Sequence, residues 1–242
     1  MQRIRFPITL MNAYMLTNDV KHFIFHVNEE VDFSYIPGQF ITIHFTHNQQ
    51  NVIRSYSIAN HPTSDRFIEI TASYIKDGVG SKFLFNLKPN DNVNITGPFG
   101  RLILRDPEPQ RYILVATSTG ITPYRAMLPI LKQYIQGNPL FKVVILQGVQ
   151  TNQDILFAKE FKKIAEECPQ ITFRAQLSQQ NTNLNAHEYS GYVQSAFDEL
   201  NLNVNEDRIY LCGNPAMIDD SFQYLKNFGF ITQQIIREKY IS

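Results

Sequence analysis

Hydrophobic and polar positions keep one rhythm in the first part of the chain and another in the second. Up to Ile103 the apolar residues fall into short runs: Thr9–Thr17, His22–Val27, Phe40–Phe45, Ile53–Ala59, Phe67–Tyr74, Asn92–Thr96 and Leu102–Leu104. These runs are rich in β-branched and aromatic residues and are punctuated by Asn, Asp, Gly and Pro, which predicts short strands in an antiparallel barrel. Ser81 to Leu87 breaks the pattern, because Phe83, Leu84 and Leu87 recur at helical spacing and predict one helix over an end of the barrel. Asp106-Pro107-Glu108-Pro109 then reads as a stiff linker, since proline fixes its own φ and biases the preceding residue away from helix. Beyond it, strands expected at Arg111–Ala116, Phe141–Leu146, Ile171–Leu177 and Arg208–Leu211 alternate with helices expected at Pro123–Ile135, Ile155–Glu167, Ser195–Leu200 and Ala216–Asn227. That alternation predicts a parallel sheet wound with helices on both faces. The expected organisation is therefore two domains, a β-barrel over residues 1–106 and an α/β domain over 110–242.

Composition narrows the classes. The 242 residues suffice for two cores of about 100 to 140 residues each. Lys plus Arg equals Asp plus Glu at 22 each, so no global field recruits nucleic acid or an anionic membrane. Cys168 and Cys212 lack the clustered spacing of an iron–sulfur or zinc site, and the six His residues form no metal-like pair with them or with carboxylates. Neither a metal centre nor a built-in ferredoxin is expected. The first ten residues lack the apolar stretch of a signal peptide, and no run approaches the length of a membrane span, so a cytoplasmic protein is expected.

The chemistry begins at Arg54-Ser55-Tyr56-Ser57. A strand sends alternate side chains to opposite faces, so Arg54 and Tyr56 share one face and Ser55 and Ser57 the other. A cation beside an aromatic ring suits a ligand that has both a flat ring system and a diphosphate, as a flavin nucleotide does. The alternative is an edge strand with a solvated Arg and a core Tyr. Downstream, Gly78-Val79-Gly80-Ser81 leads into the expected helix. The backbone amides of its first turn, with the helix dipole behind them, suit an anion, whereas the plain alternative is a turn at Asp77-Gly78 and a Ser81 cap.

Further segments follow in order: Gly97-Pro98-Phe99-Gly100, then Ala116-Thr117-Ser118-Thr119-Gly120-Ile121-Thr122-Pro123, then Cys212-Gly213-Asn214-Pro215. With Pro37-Gly38-Gln39-Phe40 ahead of the Arg54 strand, the series resembles the ferredoxin-NADP reductase family, including oxygenase reductases, cytochrome b5 reductases and flavin reductases, over nearly the whole chain. The resemblance implies an FAD-binding barrel and an NAD(P)-binding α/β domain. It also implies hydride transfer from NAD(P)H to FAD and electron delivery to ferredoxin, flavodoxin or another redox protein. It places Arg54, Ser55, Val79, Gly80 and Ser81 at the flavin phosphates, Tyr56 on the flavin ring and Ser57 near its hydride-accepting nitrogen. It places Thr119, Gly120, Thr122, Pro123, Ser178, Gly213, Asn214 and Pro215 at the nicotinamide dinucleotide, with Cys212 beside the reacting carbon. Ser118 stands where the family usually has glycine. Glu238 and Tyr240 match the spacing of a proton-relaying acid and a flavin-covering aromatic, but Ile241 and Ser242 follow the tyrosine, and a solvated last strand is the alternative.

Donor and acceptor stay open at this stage. Ser178 is followed by Gln179 and Gln180 where NADP-selective relatives often carry Arg, and Arg174 stands about 13 Å back along the strand, too far to share a 2′-phosphate. Tyr192 could stack on adenine. Arg3, Arg5, Lys76, Lys82, Lys88, Arg101 and Arg105 could form a basic face for an acidic acceptor, or be scattered solubilising charges. Two other functions remain: an NADH-dependent reductase for an oxygenase, cytochrome or free flavin, and a non-catalytic flavin- or nucleotide-binding subunit that signals redox state.

Overall fold

The computed structural model describes residues 5–105 and 109–240. Residues 106–108 of the linker expected at 106–109, Arg3, and Ile241 with Ser242 lie outside the described residues. The chain divides into two compact units: one takes the residues up to Leu104 together with Thr122–Met127, and the other takes Arg105–Ile121 with the residues from Leu128 onward.

The first unit is a six-stranded antiparallel sheet built from β1 (Phe6–Met15), β2 (Val20–Val27), β3 (Phe40–His47), β4 (Gln50–Ser57), β5 (Phe67–Ser73) and β6 (Asn92–Phe99). Their order is β4-β3-β6-β1-β2-β5, and an antiparallel bridge between Ile58 and Ile70 curls the two edges together into a barrel. Alternation decides which side is inside. Ile8, Leu10, Phe23, Phe25, Ile41, Ile43, Ile68, Ile70, Val93 and Ile95 are buried at period two along their strands. The helix α1 (Val79–Asn86) buries Leu84 against this core, and its Phe83 stacks on Phe45 with ring centroids 4.2 Å apart. The strand expected at Leu102–Leu104 does not form. Leu102 is buried, and its carbonyl presses on the Pro37-Gly38 turn, where a Cβ on Gly38 would sit 1.9 Å from it. Gly38 has φ +101°, so glycine is required there on both counts.

The second unit is a six-stranded parallel sheet: β7 (Arg111–Thr117), β8 (Lys142–Val149), β9 (Ile171–Leu177), β10 (Glu188–Ser190), β11 (Asp207–Gly213) and β12 (Ile235–Lys239). The order is β10-β9-β8-β7-β11-β12. From β7 the chain winds outward through β8, β9 and β10, then returns to β11 on the other side of β7. The sheet therefore has its topological switch between β7 and β11, and in open sheets ligands bind beyond the strand ends at that point. The connecting helices are α2 (Thr122–Gly137), α3 (Ala158–Glu167) and α4 (Pro215–Phe228). α3 starts three residues later than the expected Ile155, because Phe157 adopts φ +54° and a separate turn at Asn152–Asp154 is closed by the Asp154 carboxylate accepting from the Thr151 amide (2.9 Å) and hydroxyl (2.8 Å). The helix expected at Ser195–Leu200 is instead a 3-10 segment, Val193–Glu199, whose buried Val193 and Ala196 are spaced by one three-residue turn. Arg111 grips the buried Asp207 through both guanidinium arms at 2.7 and 2.6 Å, locking β7 to the start of β11. Among the described residues no helix is long and apolar enough to cross a membrane.

Candidate functional site

In the first unit, the β3–β4 pairing sets Arg54 opposite Ile43 and Tyr56 opposite Ile41, so both lie on the face that carries the barrel interior. α1 meets this face at Gly80. A Cβ added there would come within 2.9 Å of the Arg54 Cγ and 3.1 Å of the Tyr56 hydroxyl, so the bare glycine lets the helix start lie against the aliphatic stem of Arg54 and the Tyr56 phenol. Arg54 is exposed and donates to its neighbour's carbonyl, Ile53 O, at 2.9 Å. Tyr56 packs partly on the core, and burial pushes its phenol up to about 12 against the opposing pull of the Arg54 charge. The ring is thus a neutral, half-buried surface at working pH.

The serines divide. Ser81 is buried, and its hydroxyl holds the preceding turn: it accepts from the Ile75 amide at 3.1 Å and lies 3.0 Å from both the Ile75 and Gly78 carbonyls. What Ser81 and Val79 can offer an anion is therefore backbone, since the first amides of a helix have no acceptor within it. Ser55 is exposed opposite Thr42, on the other face from Arg54, and the structure does not bring it to the Gly80 cluster. Ser57 is buried at the strand end, opposite Phe40.

In the second unit, the two candidate loops meet at the switch point. β7 ends at Thr117 and turns through a 3-10 segment, Ser118–Ile121, while β11 ends at Cys212-Gly213 beside it. Gly120 abuts the β11 backbone so closely that a Cβ would lie 2.3 Å from the Cys212 carbonyl oxygen. Gly213, at φ +123°, abuts Thr117, whose Oγ1 accepts from the Asn214 amide at 2.9 Å. Thr117 thus ties the loops together, a role the sequence reading did not assign; its signal was a hydroxyl at the very end of an apolar strand. Ser118 has φ +46°, the left-handed region, so the position where the family usually has glycine is one whose backbone favours glycine.

Asn214 caps α4, its side-chain oxygen accepting from the Ala216 amide at 2.8 Å and the Met217 amide at 3.3 Å, with Pro215 in the first helical turn. Parallel pairing puts Cys212 beside Glu238, and the Tyr240 amide donates to the Gly213 carbonyl at 2.8 Å. The buried Cys212 thiol is pushed well above its ordinary range by burial and by the Glu238 charge, against a hydrogen bond from Tyr240. It is a protonated, compact side chain and not a nucleophile. The structure therefore gathers Cys212, Glu238 and Tyr240 at one strand end, together with Thr119, half-buried, and Gly120.

Thr122 and Pro123 are both buried and group with the first unit, where the Thr122 hydroxyl pairs with that of Thr71. Its hydroxyl is spent on that partner. Ser178 directly follows β9, two strands from β7, and its hydroxyl donates to the Val149 carbonyl at 3.2 Å. Gln180 accepts from the Asn152 amide at 2.9 Å, and Arg174 is held by Glu199 at 2.7 Å and by the Tyr189 ring. Tyr192 is 69% exposed.

Comparison with known proteins agrees with this division. An oxidoreductase FAD-binding domain matches residues 7–103 and an oxidoreductase NAD-binding domain residues 114–223. The toluate 1,2-dioxygenase electron transfer component of Pseudomonas putida is 27% identical over 86% of this chain and 60% of its own length. Ferredoxin--NADP reductase B of Sorangium cellulosum is 26% identical over 88% of both chains. Other curated relatives are matched over about half their length. In fold, the chain matches a ferredoxin NADP+ reductase from Neisseria gonorrhoeae with bound FAD and NADP, with TM-score 0.83 and 20% identity over 97% of this chain and 98% of the other.

Proposed function

We propose, for a chain that belongs to the ferredoxin-NADP reductase family and carries its FAD-binding and NAD-binding domains, that it oxidises NAD(P)H and passes the electrons to a redox protein such as ferredoxin or flavodoxin. FAD, when bound, supplies a ring that takes hydride from reduced nicotinamide and releases electrons singly. The protein's part is to bind, orient and keep water out.

The single observation that carries this reading is the Gly80 cradle, where a helix start meets the stem of Arg54 and a half-buried phenol because Gly80 has no Cβ. Arg54 would neutralise the flavin diphosphate with both arms of its fork, the amides of Val79 and Gly80 would complete the anion site, and Tyr56 would lie against the flavin. Ser55 and Ser57 remain proposed flavin contacts through the β4 backbone and strand end. At the switch point, Thr119, Gly120, Gly213, Asn214 and Pro215 would admit the pyrophosphate and nicotinamide of the dinucleotide. Cys212 would supply a small neutral wall, with Glu238 and Tyr240 bordering it. Thr122 and Pro123 would act by setting where α2 begins. We read the donor as NADH: neutral Gln179 and Gln180 follow Ser178, and the Arg174 cation is already held by Glu199, so this strand end offers little to a 2′-phosphate.

Flavin content after purification tests the site. The wild-type chain should hold FAD. Arg54→Ala should weaken retention about ten- to hundredfold, the loss of a charge-assisted pair, whereas Cys212→Ala should keep its flavin and be reduced more slowly. An Arg54→Ala protein that purifies with a full complement of FAD would contradict the diphosphate assignment.

A further inference from the structure

Apart from the Gly80 cradle, the first unit buries an ionic cluster where β4 ends. Glu69 of β5 accepts from Arg125 of α2 at 2.5 Å and lies 3.1 Å from the Nε2 of His22, a fully buried residue of β2. The side chains of Glu69 and Arg125 are only 20% and 18% exposed. Burial pushes the Glu69 carboxyl upward, but His22 and Arg125 together outweigh it and hold the group below its ordinary range, so it is ionised at neutral pH. Arg125 also reaches the flavin strand. Its Nη1 donates to the Ala59 carbonyl at 3.0 Å, two residues beyond Ser57. That carbonyl is held in turn, because the Ala59 amide donates to the Glu69 carbonyl at 2.7 Å and Ile58 bridges Ile70.

Spacing matches the strand to the helix. Glu69 and Thr71 share a face of β5 at period two, and Thr122 and Arg125 share a face of α2 at a spacing of three. They pair rung by rung, Thr71 with Thr122 through their hydroxyls and Glu69 with Arg125 through the ion pair. Met127 adds an apolar contact, for a Cβ on Gly38 would come 2.6 Å from its Cε. All of these residues belong to the first unit. α2 begins directly after the Ser118–Ile121 turn, so Arg125 joins the end of the strand that carries Tyr56 and Ser57 to the first turns of the helix that leaves the nicotinamide loop. One rung alone would leave the helix free to pivot about it, and the second removes that freedom. A buried ion pair adds little net stability, because taking both charges out of water offsets their attraction, but it fixes direction. We infer that Arg125, with Glu69, is a positioning residue for hydride transfer, acting through the β4 end and the start of α2 and not on either cofactor. The inference rests on the reading that Ser57 borders the flavin and that the Ser118–Ile121 turn admits the nicotinamide.

The test is anaerobic stopped-flow reduction of the full, flavin-loaded chain over a range of NADH or NADPH concentrations, whichever reduces the wild-type chain faster. This separates nucleotide affinity from the limiting rate of flavin reduction. Arg125→Ala should lower the limiting rate about ten- to hundredfold, the effect of a small misplacement far from the reacting atoms, while nucleotide affinity and flavin content stay within about threefold. Arg125→Lys, which restores the cation but not the planar fork, should recover part of the rate. Thermal melts of the loaded variants check folding; if Arg125→Ala does not fold, Glu69→Gln, which keeps the shape and removes the charge, decides in its place. A purely structural role would lower the melting temperature and leave the limiting rate of the folded variant at the wild-type value, and that result overturns the inference. So does a loss confined to nucleotide affinity or to flavin retention. A wild-type chain that neither nucleotide reduces refutes the underlying reading and the inference with it, whereas normal wild-type reduction with an unchanged variant rate removes only the positioning role.

Discussion

Tyr56 packs on the barrel core and stands at the proposed flavin site. Its ring leans on the barrel core, which was the plain alternative in the sequence, and its hydroxyl stands at Gly80, the start of α1. The proposed flavin contact is compatible with that packing because the β4 face that covers the core is also the face that meets α1. The phenol carries a measurable consequence. Its folded value, about 12, is raised above the ordinary 10.0 by burial, so the stability tied to the protonated ring is fully present below pH 10 and is lost as pH rises through about 12. Tyr35, Tyr112 and Tyr210 are pushed upward by burial as well and steepen the loss in the wild-type chain. Tyr56→Phe should make it shallower, which urea unfolding across that pH window will show; an identical slope would mean the phenol is not desolvated. Alternation alone placed Arg54 and Tyr56 on one face. It could not show that the Ser81 hydroxyl is spent on Ile75 and Gly78, because that depends on the turn before α1 folding back over it.

At the scale of elements, the loop after β7 carries its own strain. Ser118 holds a left-handed backbone at φ +46°, which costs an L-residue about 1–2 kcal/mol relative to glycine. Part of that is offset by the greater freedom glycine has when unfolded. Ser118→Gly should therefore raise the unfolding free energy by about 0.5–1 kcal/mol, measured by denaturant melts; a loss of stability would show that the serine hydroxyl holds the loop by a bond worth more than the strain. Strand and helix periods made most elements legible, down to the helical spacing of Phe83, Leu84 and Leu87. The failures share a cause. Leu102–Leu104, the start of α3 and the Val193–Glu199 segment take a form set by tertiary packing or by a special backbone angle, and neither leaves a periodic trace. β10 escaped notice because three residues, Glu188–Ser190, are too few to show a period.

For the whole molecule, the change of rhythm between the two parts of the chain was enough to announce a barrel followed by a wound sheet. Ordered motifs placed the candidate residues near strand ends. What the sequence did not reveal was the pairing of β11 with β12, which sets Cys212 beside Glu238 and Tyr240 after a separation of 26 residues. Neither did it reveal that Arg174 is taken by Glu199 and that Thr122 is spent on Thr71. The Arg174–Glu199 pair turns an open choice of donor into a specific expectation. The measurement that tests the account most directly is anaerobic stopped-flow reduction of the purified, flavin-loaded chain, followed by flavin absorbance, with NADH and NADPH compared side by side. The account predicts that NADH bleaches the bound FAD completely and at least tenfold more efficiently than NADPH, with rapid recovery of colour when a redox-protein acceptor is added. A flavin that keeps its colour with both nucleotides, or that bleaches once and never turns over, would contradict it.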